Sequence, residues 1–103
     1  METASMLQFT QAARALSRAA SSRGLVAPGF RSPPRDARFD RAVRRRGGHV
    51  TVAVRVRGRP WPAVLADMIE GVVVANGLRA VEAEAVRREL WRAVEDTPPA
   101  RAA

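Results

Sequence analysis

The clearest hydrophobic signal in the chain is a period of two. Val50, Val52, Val54 and Val56 fall on one face of an extended segment, and Thr51, Ala53, Arg55 and Arg57 fall on the other. The preceding residues 39–46 alternate less cleanly, because Phe39 and Val43 share a face with Arg41 and Arg45. Gly47-Gly48 stands between the two runs. Paired glycines supply the positive φ angles that a two-residue hairpin turn demands. The pattern predicts an arginine-rich hairpin over residues 39–57. Two strands alone are marginal in water, so a further strand is needed, either from residues 25–31 or from a second subunit.

Three segments show the helical period instead. In residues 3–22, Met6, Phe9, Ala13, Leu16 and Ala20 recur at steps of three and four, and Ser21, Ser22 and Gly24 end the run. Residues 60–76 carry the strongest stripe: Trp61, Val64, Leu65, Met68, Ile69, Val72 and Val73, with Asp67 and Glu70 turned away. Pro60 and Pro62 suit a first helical turn, whose N–H groups have no helical partner. Asn76-Gly77 suits a left-handed stop. This stripe is expected to cover the valine face of the hairpin. Residues 79–95 predict a third helix that buries Val81, Ala85, Leu90, Ala93 and Val94, with Glu84–Arg88 and Glu89–Arg92 paired along its surface.

The connector, residues 23–38, holds three prolines and two glycines and forbids a helix. Pro28-Gly29 reads as a turn and Pro33-Pro34 as a stiff extended step, while Leu25, Val26 and Phe30 are expected to anchor in the core. Residues 96–103, with Pro98-Pro99, read as a frayed tail. The expected fold is α+β: a single small domain over residues 1–103, ordered helix, β-hairpin, helix, helix. The helices pack on one or both faces of a small antiparallel sheet.

Composition narrows the chemistry. At 103 residues and 47% hydrophobic, the chain has material for one modest core. It has no cysteine, which excludes disulfides, thiolate metal sites and cysteine nucleophiles. His49 is the only histidine and has only carboxylates for company, short of the donor set of a zinc site. No P-loop, glycine-rich dinucleotide loop or Ser–His–Asp set occurs. The expectation is a non-enzymatic protein with no catalytic, metal or cofactor-binding residue. The longest purely apolar run, Val72 to Ala75, is far short of the roughly 20 residues of a membrane span, so no membrane partner is expected.

Charge changes the picture most. The net charge is +8, and every basic side chain other than His49 is arginine. Residues 31–59 carry ten Arg against two Asp, whereas residues 60–103 carry five Arg against seven acids. The exclusive use of arginine reads as genome composition. Its concentration in one segment is the stronger signal. Guanidinium forks onto phosphate or carboxylate, and a cluster of like charges is relieved by an anionic partner.

The stretches GLVAPGFRSPPR, DRAVRRR and VAVRVRGRPWPAVLADMIEGVVVANGL resemble a group of short uncharacterised proteins of high-GC actinobacteria. The resemblance covers roughly residues 24–78, and its specific part runs from Val54 to Leu78. It implies a bacterial cytoplasmic protein and brings no activity, cofactor or catalytic residue. A second reading of residues 3–22, rich in Arg, Ala and Ser, is an organellar transit peptide, which would place the protein in an organelle matrix. Glu2 opposes it.

The functional expectation is nucleic-acid association through the hairpin arginines Arg41, Arg44, Arg45, Arg46, Arg55, Arg57 and Arg59, which would bind phosphate backbone. Against it stands a merely solvated arginine face. The alternative is a protein–protein module, a homodimer or a subunit of an acidic partner, suggested by the incomplete sheet and the opposite charges of the two halves. Few rings lie near the patch (Phe30, Phe39, Trp61 and Trp91), which weakens a single-strand reading. Trp61 and Trp91 read as core-edge residues, Asp67 and Glu70 as a solvated helix face, and His49 as a turn residue. The third helix, with Glu82, Glu84, Glu89, Glu95 and Asp96, is a poor guest in a DNA groove.

Overall fold

Ser5 opens the first helix with a capping box. Its hydroxyl accepts from the Gln8 N–H at 3.1 Å, and the Gln8 side chain accepts from the Ser5 N–H at 2.9 Å. Together they satisfy two donors that the first turn leaves without partners. The computed structural model describes residues 3–34, 36, 38 and 41–95, with Arg41 described by its backbone alone. Phe39, expected to begin the hairpin, and the tail 96–103 lie outside the described residues.

Helix α1, Met6–Ser22, buries Phe9, Ala12, Ala15, Leu16 and Ala20. The stripe is rotated from the expected one: Met6 is exposed and Ala13 only half-buried. Phe9 and Leu16 fix the core side, and the small alanines between them follow whichever neighbours come close. The helix stops at Gly24, where φ is +74°. There the Leu25 N–H donates to the Ala20 carbonyl at 2.9 Å and the Gly24 N–H to Ser21 at 3.0 Å, a Schellman closure.

The hairpin forms as the alternation predicts. Strand β2, Arg41–Arg46, pairs antiparallel with β3, His49–Val54, around Gly47 and Gly48, both at positive φ. The third strand comes from this chain itself. Strand β1, Gly29–Arg31, pairs with β3 with Phe30 opposite Val52, and β3 lies at the centre of the order β1-β3-β2. The sheet is therefore mixed rather than antiparallel. The chain reverses between β1 and β2 and again at the glycine turn, so β1 and β3 run the same way. Two expectations for the connector change accordingly. Pro28 is buried and Gly29 begins β1, so they form no turn, and Val26 is exposed rather than anchored. Strand β3 ends at Val54, earlier than residue 57; Val56 beyond it is buried and Arg57 exposed, while Ala53, expected on the open side, is buried too.

Helix α2, Trp61–Ala75, lies on the valine face of the sheet. Val52, Val54, Val64, Met68, Ile69 and Val72 are all but inaccessible there. Gly71 sets the approach: a β-carbon at that position would lie 2.5 Å from Val52 Cγ1. The helix closes at Gly77, φ +60°, with the Leu78 N–H on the Val73 carbonyl at 3.2 Å. Asn76 adds a staple. Its amide accepts from the Val26 N–H at 2.8 Å and donates to the Val26 carbonyl at 3.0 Å, so α2 grips the connector just ahead of β1.

Helix α3, Ala80–Glu95, packs on α1 and α2. It buries Ala83, Val86 and Leu90, while the expected core residues Val81 and Ala85 are exposed and Ala93 and Val94 are half-buried. Its partners are two helices rather than a sheet, which turns a different side inward. The architecture is thus α+β in three layers: sheet, then α1 and α2, then α3. Among the described residues no helix covers the other face of the sheet, and none is long and apolar enough to cross a membrane.

Candidate nucleic-acid interface

Alternation that sends Val50, Val52 and Val54 toward α2 sends Thr51 and Ala53 outward. The register then places their neighbours. Arg31 lies opposite Ala53 on one side and Ala42 on the other; Arg44 lies opposite Thr51, and Arg46 opposite His49. These seven residues line one open hollow of about 240 Å³. Its floor is made of the small side chains Ala42, Thr51 and Ala53. Its rim carries three guanidinium groups and one imidazole, and none of the described lining residues is Asp or Glu. Short residues at the centre of a sheet and long cationic ones around it form a shallow trough whose wall chemistry suits an anion.

A second open cleft, of about 430 Å³, lies past the end of β3 and is lined by Thr3, Arg55, Arg57, Gly58 and Arg59. Gly58 at φ +80° turns the chain there. The segment before α1 closes the other side, with Thr3 bridged to Pro60 and the Ala4 N–H donating to the Arg59 carbonyl at 2.8 Å. Arg59 is fixed in this cleft. Its guanidinium donates to the Arg55 carbonyl at 3.0 Å and meets Asp67 at 2.9 Å, with both side chains largely shielded.

The seven predicted arginines therefore divide. Arg44 and Arg46 reach the sheet hollow, and Arg55, Arg57 and Arg59 line the turn cleft. Arg45 points the other way. It sits opposite Val50 on the α2 side, and its guanidinium donates to the Ala75 carbonyl, where the negative end of the α2 dipole favours a cation. Arg41 pairs with Val54 along the backbone. Two rim residues were missed by sequence reasoning. Arg31 joins the site only because β1 pairs with β3, and His49, read as a turn residue, is the first residue of β3. Their signals were the short Gly-Phe-Arg run beside prolines and the odd-numbered phase that His49 shares with Thr51.

The helical layers treat arginine differently. Arg23 pairs with Glu89, in place of the expected Glu89–Arg92 pair. Arg88 pairs with Glu84 at 3.3 Å, as the spacing of four predicts. Arg87 forms a two-pronged contact with Glu70, whose hydrogen bond raises the arginine pKa above its ordinary value. Asp67 and Glu70 are thus half-buried ion-pair partners rather than a solvated face. The rings turn inward too. Trp61, Trp91 and Phe30 pack against the core, and Phe30 meets Phe9 edge-on at 6.5 Å between centroids. Among the described residues no group of three or more His, Asp or Glu side chains is placed to hold a metal ion. The chain matches no known protein family, no curated protein and no solved structure.

Proposed function

We propose that this chain is a non-catalytic protein that binds the sugar–phosphate backbone of nucleic acid through the open face of its sheet. One observation carries the reading. Arg31, Arg44, Arg46 and His49 rim one open hollow on the face of the sheet that no described helix covers. Clustered guanidinium groups on rigid strands repel one another and gain from neutralisation and counterion release when phosphates arrive. The rival reading, a module that pairs with another copy or an acidic protein, loses one of its two motives, because strand β1 supplies the third strand from this chain.

The test is a titration of DNA and RNA at two salt concentrations. Binding is expected at micromolar concentration or tighter and weakens steeply as salt rises. Changing Arg44 and Arg46 together to Glu lowers affinity at least a hundredfold at low salt, whereas Arg45→Ala lowers it less than threefold. Equal losses from the two variants would reject the open face as the site, and salt-independent binding would reject a phosphate-reading role.

A further inference from the structure

We infer that His49 is a phosphate contact of the sheet hollow in its protonated form, so that binding there is linked to protons and weakens as the imidazole loses its charge. The inference rests on the nucleic-acid reading above and adds the regulation of that same site.

Placement comes from the hairpin. His49 is the first residue of β3, and the Gly47-Gly48 turn brings it directly opposite Arg46, the last residue of β2. Side chains so opposed have β-carbons about 4.5–5.5 Å apart. Both residues are exposed. Thr51 follows His49 on the same side of β3, and Arg44 lies across from Thr51. The imidazole therefore lines the same hollow of about 240 Å³ as the guanidinium groups. A phosphate that meets Arg46 at this end of the hollow lies within reach of His49.

The groups that surround the imidazole are cationic. Arg46 and Arg44 face it from β2, and Arg31 stands on β1 toward the far end of the hollow, opposite Ala53. Strand β3 itself contributes Thr51, which carries no charge. Helix α2 packs behind the sheet, where Asp67 and Glu70 pair with Arg59 and Arg87.

Their protonation behaviour differs. Guanidinium keeps its charge at every pH a protein meets. Imidazole is the one side chain whose ordinary titration falls between about pH 5 and pH 8. Protonated, it donates from both ring nitrogens and carries a charge; neutral, one nitrogen turns acceptor and has nothing to offer a phosphate. Hydrogen bonds between charged partners are the stronger kind. The arginines thus supply a constant attraction, and His49 adds a fourth cation to the rim only at the acid end of the range. Linkage makes the relation reciprocal: a site that binds phosphate better with the proton in place takes up protons when phosphate arrives. The chain has one histidine, so no second imidazole supplies the effect.

The experiment is fluorescence anisotropy with a labelled 20-base-pair DNA duplex, over a salt series at several pH values, on the parent protein, His49→Gln and His49→Arg. From about pH 8 to pH 5.5 the parent is expected to gain about five- to tenfold in affinity, and the magnitude of its salt slope grows by about 0.9, one further phosphate contact. His49→Gln holds the weak affinity across the range, and His49→Arg holds the tight one. Calorimetry in two buffers of different ionisation enthalpy shows proton uptake on binding by the parent, lost in both variants. A duplex that binds with the same response to pH in the parent and in His49→Gln overturns the role of His49 and leaves the nucleic-acid reading standing. Failure to bind at any pH overturns both.

Discussion

The two faces of β3 differ by a single residue step and meet opposite surroundings. Val50, Val52, Val54 and Val56 are buried, most of them against α2, so closely that Gly71 has no room for a methyl group. On the other side Thr51 and the buried Ala53 line the hollow, and Arg55 and Arg57 line the cleft. The inner face is specified by shape, where volume decides. The outer face is specified by charge, where shape is loose and sign decides. A chain of this size can carry so basic a surface because the two demands are segregated. Arg23, Arg87 and Arg88 pair with acids of α2 and α3, and the valine face supplies a core that needs no polar group, with no buried polar or charged residue among those described.

That contrast can be broken from either side. The largest effect is expected at Gly71. Gly71→Ala drives a methyl into a stiff, β-branched side chain and lowers unfolding stability by about 1–3 kcal/mol, measured by urea denaturation. Nucleic-acid affinity below the unfolding transition stays the same. If stability is unchanged, the close approach of α2 to Val52 is not what holds the layers together. Next comes Arg45, a residue of the basic run committed to the inner side. Arg45→Ala removes the cation from the end of α2 and is expected to cost about 0.5–1 kcal/mol by thermal or urea melting. A melt indistinguishable from the parent protein would return Arg45 to the ligand-binding set. The smallest effect belongs to the exposed pair on α3. Arg88→Ala changes stability by less than about 0.5 kcal/mol in the same melts, because solvent screens a spacing-of-four pair. A larger change would show the helical ion pairs to be structural rather than neutralising.

Much of this was legible in the order of residues. The hairpin could be read because Gly47-Gly48 and four alternating valines are local signals. The α2 stripe could be read because its residues are large. Strand β1 could not be located with the same assurance. It is three residues long, its partner lies some twenty residues onward, and parallel pairing leaves no turn motif behind. Helices α1 and α3 were placed correctly and rotated wrongly. Alanine fills many of their contact positions, and a methyl group fits either side, so Ala12 and Ala83 could not be told from Ala13 and Ala85 until their neighbours were known. For the site, the phase of β2 already set Arg45 apart from Arg44 and Arg46, since Arg45 shares a face with Val43. What the phase could not supply was the second wall. Arg31 reaches the trough only through a pairing between distant segments.

Asn76 gives that pairing an order in time. Its amide holds Val26 across fifty positions of chain, and the loop it closes includes the hairpin and α2. Such closure is entropically costly until the enclosed segments have folded, and contacts between distant positions form late for that reason. The hairpin and α2 are near neighbours in sequence and can assemble first. The wall that carries Arg31 is then the last part to arrive. An emerging or partly unfolded chain would therefore present its arginines as a run along one strand, and only the finished protein would gather them on two sides of a trough.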